Sequence, residues 1–116
     1  MKAFIQVMKA LSDPNRVRVV KLLQQKELCV CEIKEVLGLA QSTVSKHLKI
    51  LEDAGLVERK RQGTWMIYSL ADGSESAYAE AMLLKLSDWL DDDRELAIMR
   101  KALPAAALLR TCAVKN

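Results

Sequence analysis

The stretch from Gln41 to Leu70, "QSTVSKHLKILEDAGLVERKRQGTWMIYSL", constrains the fold most, because a helical pattern gives way to two β-rich runs within 30 residues. Val44, Leu48 and Leu51 recur at the spacing of one helix face, and Gly55 supplies the stop. "LVERKR" and "TWMIYSL" then read as short strands separated by Gln62 and Gly63, a hairpin with basic residues near its tip. Just upstream, "CEIKEVLG" reads as a short helix ended by Gly38 and joined to the next across only "LA". Two short helices on a tight turn, followed by a basic hairpin, is the winged helix-turn-helix pattern: mainly α with a small β-hairpin.

The flanks are helical. Phe4, Val7, Met8 and Leu11 mark a first amphipathic helix. "SDPNR" restarts the chain with Asp13 as N-cap and Pro14 at the first helical position, in a helix running to about Gln25. After "ADGS", residues 74–90 read as a long helix with Ala79, Met82, Leu83, Leu86 and Leu90 on one stripe. "DRELAIMRKAL" reads as a further short helix that stops before Pro104. At 116 residues, 51% hydrophobic and 28% charged, the chain suits one globular domain. No apolar run nears the roughly 18 residues of a membrane span. Lys9 and Asp13 break the start too early for a secretory signal, so the expectation is a cytoplasmic protein that does not contact membrane.

The small net charge of +3 hides an asymmetry. Residues 1–71 carry 12 basic and 7 acidic groups, and residues 72–95 carry 2 basic and 8 acidic. The front portion is suited to phosphate and the acidic stretch would be repelled by it, although solvated faces account for the same pattern. On the second helix of the pair, Gln41, Ser42, Thr43, Ser45, Lys46, His47 and Lys49 lie off the apolar stripe. Early residues of such a helix meet base edges, while Ser, Thr and Lys also reach phosphates. Arg59, Lys60 and Arg61 on the wing would add backbone or minor-groove contacts. The expected partner is therefore DNA, against a winged-helix module that binds protein. Enzyme chemistry lacks support: there is no phosphate-cradling glycine loop, no HExxH and no histidine placed to activate a cysteine. Asp91 to Asp93 read as a solvated helix end, since adjacent carboxylates on a helix diverge.

"ELCVCEI", "STVSKHLKILEDAGLV" and "RKRQGTWMIYSL" together resemble the ArsR/SmtB family of metal-responsive bacterial repressors, over roughly residues 5–90. The resemblance implies a homodimer that binds a palindromic operator DNA and leaves it when a metal or metalloid binds. It also implies that residues 1–11 and 74–90 dimerise. Residues 31–53 then form the helix-turn-helix, 56–70 the wing and 91–116 a C-terminal tail. Cys29 and Cys31 match the family's thiol-rich box, which makes them candidate ligands of a thiophilic ion, arsenite or antimonite first and another soft metal ion second. They also read as two small buried hydrophobes.

Side chains two apart on a regular helix diverge by about 200°, so both sulfurs reach one ion only if the helix start is distorted or Cys29 precedes it. A helix N-terminus would favour the thiolate. Arsenic and antimony take three sulfurs in a pyramid. Where the family's arsenic sensors often carry a third cysteine, three residues after the second, this chain has Lys34. The family's cadmium and lead sensors use an N-terminal cysteine, and residues 1–28 contain none. Cys112, 81 residues beyond Cys31, is the remaining candidate, with an exogenous thiol or hydroxide as the fallback. The family's zinc site needs histidines on the last long helix, where there are none. A thiol-redox or persulfide sensor of the same fold, and a DNA-binding protein without a ligand, remain the alternatives.

Overall fold

The computed structural model describes the backbone of residues 1–112 and the side chains of residues 1–104. Six helices and three strands follow in the order α1 (Lys2–Ala10), α2 (Pro14–Leu23), β1 (Leu28–Cys29), α3 (Val30–Leu37), α4 (Gln41–Asp53), β2 (Val57–Gln62), β3 (Trp65–Leu70), α5 (Ala77–Leu86) and α6 (Arg94–Cys112). Among the described residues no helix is long and apolar enough to cross a membrane.

The helix starts follow local chemistry. Asp13 accepts hydrogen bonds from the amides of Asn15 (2.8 Å) and Arg16 (3.2 Å), with Pro14 at the first turn where no amide is needed. That capping holds the Asp13 carboxyl below its usual range against the opposing effect of burial. Gly38 closes α3 in the left-handed conformation (φ 69°), which costs a residue without Cβ nothing. Val44, Leu48 and Leu51 of α4 are buried with Val19, Val20 and Leu22 of α2, Ile33 of α3, and Leu56. These residues form one core beneath the helix pair.

The hairpin is part of a three-stranded antiparallel sheet in the order β1-β3-β2. Leu28 faces Tyr68 and Cys29 faces Ile67 on one side of β3, while Lys60 also faces Ile67 from the other. The cysteine segment thus shares a sheet with the wing. The tip lies one residue later than the sequence reading put it: Gln62 pairs with Trp65, leaving Gly63 and Thr64 in the turn. Gly63 (φ 61°) takes the first central position, the place a two-residue turn reserves for glycine. The basic run Arg59 to Arg61 consequently sits along β2.

The carboxyl-terminal part differs most from expectation. The helix expected over residues 74–90 is shorter, from Ala77, capped by the Ser76 hydroxyl (3.3 Å to the Ala79 amide), to Leu86. The chain then breaks at Leu90 (φ 67°). The following helix does not stop before Pro104 but carries it internally to Cys112. A proline removes one hydrogen bond from a helix, and the alanine- and leucine-rich run after Pro104 is otherwise strongly helix-forming. α6 packs across α3 and against α2. The connection leading from α5 into α6 is tethered by the buried ammonium of Lys21, which donates to the Leu86 carbonyl (2.6 Å) and the Asp91 carboxylate (2.8 Å).

Candidate nucleic-acid interface and thiol pocket

α4 buries its apolar stripe and presents Gln41, Ser42, Thr43, Ser45, Lys46 and Lys49 to solvent. Its amino-terminal half carries no acidic side chain, whereas Glu52 and Asp53 lie at the far end. An approach to phosphates is therefore favoured amino-end first. Lys49 is engaged with Asp53 (3.1 Å), an exposed pair of little strength that phosphate can replace. His47 differs from its neighbours. It is half-buried, and its Nδ1 stands 3.2 Å from the Arg16 guanidinium, which also donates to the carbonyls of Ala10 (2.7 Å) and Lys9 (3.1 Å). A guanidinium only donates, so Nδ1 is placed to accept in this contact. His47 thus ties α4 to the end of α1, on the flank of the exposed face.

The wing cations are held at short range. Arg59 pairs with Glu52 of α4 (3.2 Å) and Lys60 with Glu27 just before β1 (3.4 Å), while Arg61 is exposed. Both pairs are surface pairs. The first fixes the wing against the reading helix and the second fixes it against the cysteine segment.

Cys29 precedes the third helix. It is the N-cap residue of α3, with extended backbone (φ −91°, ψ 167°), and Cys31 is the second residue of the helix. The offset brings the two sulfurs to 2.7 Å, both as free cysteines, with Cys29 buried and Cys31 half-buried. The divergence that a regular helix would impose is avoided by the cap. Two thiolates on one four-coordinate ion with bonds of about 2.3 Å lie roughly 3.8 Å apart, a separation that two neighbouring sulfurs placed in this way can reach by side-chain rotation alone.

Glu32 was not singled out from sequence. Its buried carboxylate accepts the Cys29 amide (2.8 Å), and its own amide faces the Cys29 sulfur, a reciprocal capping box with cysteine in the position usual for serine. The Cys29-to-Glu32 spacing carried the signal, masked because the helix was expected to begin at Cys31, one residue later than it does.

One expectation is reversed. The start of α3 does not make Cys29 a thiolate: burial, then the Cys31 hydrogen bond, push its thiol from 9.0 up to about 12, the neighbouring Glu32 charge adds to this, and the Glu32 amide offsets only part. Burial dominates, with Cys29 only 2% exposed.

The sulfurs open into a pocket of about 220 Å³ lined by Cys29, Val30, Cys31, Gln41, Thr64, Trp65 and Met66. Gln41 begins the reading helix, and Thr64 and Trp65 belong to the wing turn and its return strand. Among the described residues no three His, Cys, Asp or Glu side chains are grouped to hold an ion. The thiol of Cys112, the expected third sulfur, lies outside the described side chains.

Residues 13–59 match the family described as "Bacterial regulatory protein, arsR family". The arsenical resistance operon repressor of Bacillus subtilis is 40% identical over 73 residues, covering 62% of this chain and 70% of the relative. An arsenic resistance transcriptional regulator of Pseudomonas putida is 37% identical over 92 residues, covering 75% and 71%. Among solved structures, the homodimeric winged helix-turn-helix DNA-binding domain of a Mycobacterium bovis protein matches with a TM-score of 0.62 at 33% identity, covering 75% of this chain and 80% of that one.

Proposed function

Because this chain belongs to the ArsR family of bacterial transcriptional regulators, we propose that it is a homodimeric repressor released from its operator by a thiophilic metalloid, arsenite or antimonite, bound at Cys29 and Cys31. The convergence of those two sulfurs beside the first residue of the reading helix carries the proposal.

The state of Cys29 favours a metalloid over a divalent cation. Arsenous acid is uncharged near neutral pH and condenses with thiols: each S–H and As–OH become an S–As bond and water. No charge enters the pocket and no proton is released. A divalent cation must displace a proton from a thiol that burial pushes up, so its binding carries a pH-dependent cost that the metalloid's does not. The third arsenic bond goes to Cys112, or to an exogenous thiol or hydroxide. On the DNA side, Gln41, Ser42, Thr43, Ser45 and Lys46 read the operator. Lys49, Arg59, Lys60 and Arg61 hold its backbone, and His47 orients the helix through Arg16.

Fluorescent operator displaced from the reduced protein by arsenite, and retained by the Cys29→Ser and Cys31→Ser variants, is the expected result. Release by peroxide in metal-free buffer, with no effect of arsenite, would replace the reading by redox sensing.

A further inference from the structure

We infer that Trp65, together with Gln41, is the contact through which an occupant of the thiol pocket is felt by the DNA-binding surface, so that the occupant acts as a wedge between wing and reading helix. The inference rests on the preceding assignment of the thiols for its natural occupant, not for its geometry.

Cys29 has little freedom to move. It is 2% exposed, paired through β1 to Ile67 and capped by Glu32. Cys31 is half-buried and lines the pocket, so a group bonded to its sulfur beside the fixed Cys29 takes up space in the pocket. Gln41 and Trp65 line the same pocket. Cys29 and Ile67 are cross-strand partners, and Trp65 is two residues before Ile67, so the Trp65 indole projects from the same sheet face as the Cys29 side chain. Trp65 also pairs directly with Gln62 of β2, the strand that bears Arg59, Lys60 and Arg61. Pressure on the indole therefore moves the basic strand, and pressure on Gln41 moves the first turn of α4. A winged helix-turn-helix engages DNA with both at once, so a change in their separation costs affinity even if each remains folded.

The test needs no ion. In a Cys29→Ser/Cys112→Ser background, alkylation of Cys31 with iodoacetamide puts a small fixed group into the pocket, and operator affinity is measured before and after. Affinity should fall at least about tenfold on alkylation, the Trp65→Ala version should recover to within about threefold of unmodified protein, and Trp65→Phe should retain most of the loss. An alkylated protein that holds operator unchanged, or an equal loss with and without the Trp65 side chain, overturns the inference. Should Trp65→Ala fail to fold by circular dichroism, a Trp89→Phe protein leaves Trp65 as the sole indole. Its emission must change on alkylation, and an unchanged spectrum equally overturns the wedge. If alkylation releases operator and arsenite does not, the wedge stands and the choice of metalloid fails.

Discussion

A cysteine at a helix start is usually expected to ionise easily, and Cys29 does the opposite because desolvation outweighs the few donors around it. The consequence is measurable in the ion's proton balance. Affinity for a divalent soft cation such as cadmium should rise about tenfold per pH unit for each proton released, between pH 6 and 8. Arsenite affinity should stay flat over the same range, since its condensation releases water. Isothermal titration in two buffers of different ionisation enthalpy checks the proton count, and a proton released on arsenite uptake would contradict the assigned chemistry. The Cys112→Ser variant should respond to arsenite much more weakly. An unchanged release curve would remove that residue from the site.

At the scale of elements, α3 is held by its cap and the connection into α6 by its tether. Glu32→Ala takes the partner from the Cys29 amide and should cost about 1–2 kcal/mol in urea denaturation, while Glu32→Gln, which still accepts, should recover most of it. The Lys21 hydrogen bond holds the Asp91 carboxyl below its usual value. A carboxyl lowered in the folded state stabilises fully above its ordinary 3.8 and loses that contribution as pH falls through the lowered value. Stability followed by urea denaturation should therefore fall more steeply with acid below about pH 3.8 in wild type than in Asp91→Asn, the two converging at the acid end because wild type loses there the contribution that the variant never had. Much of this scaffold was legible beforehand. Asp13-Pro14, Gly38, the stripe of α4 and the strands flanking Gly63 are local signals that name their own structures. β1 was not legible, since two residues carry no alternation, and so the link between Cys29 and the wing stayed hidden. The passage of α6 through Pro104 was missed because proline is a strong local stop signal, here overridden by the helix-forming run that follows.

At the scale of the molecule, α1 and α5 pack together and leave an apolar surface open. Phe4 and Tyr78 meet edge to face with centroids 5.4 Å apart, and Phe4, Ile5 and Tyr78 remain 40–45% exposed. A second copy of the chain covering this face is the arrangement proposed here, and Ile5→Glu should halve the mass in sedimentation. Because a dimer contacts two half-sites together, the same change should weaken operator binding at least about tenfold. In the proposed mechanism, filling the thiol pocket and holding the operator exclude one another. The direct measurement is operator occupancy by fully reduced dimer titrated to saturation with arsenite, with uptake counted independently on the same sample. Occupancy should fall in step with arsenic bound at Cys29 and Cys31. A dimer carrying its full complement of arsenic while gripping operator with undiminished affinity would contradict it.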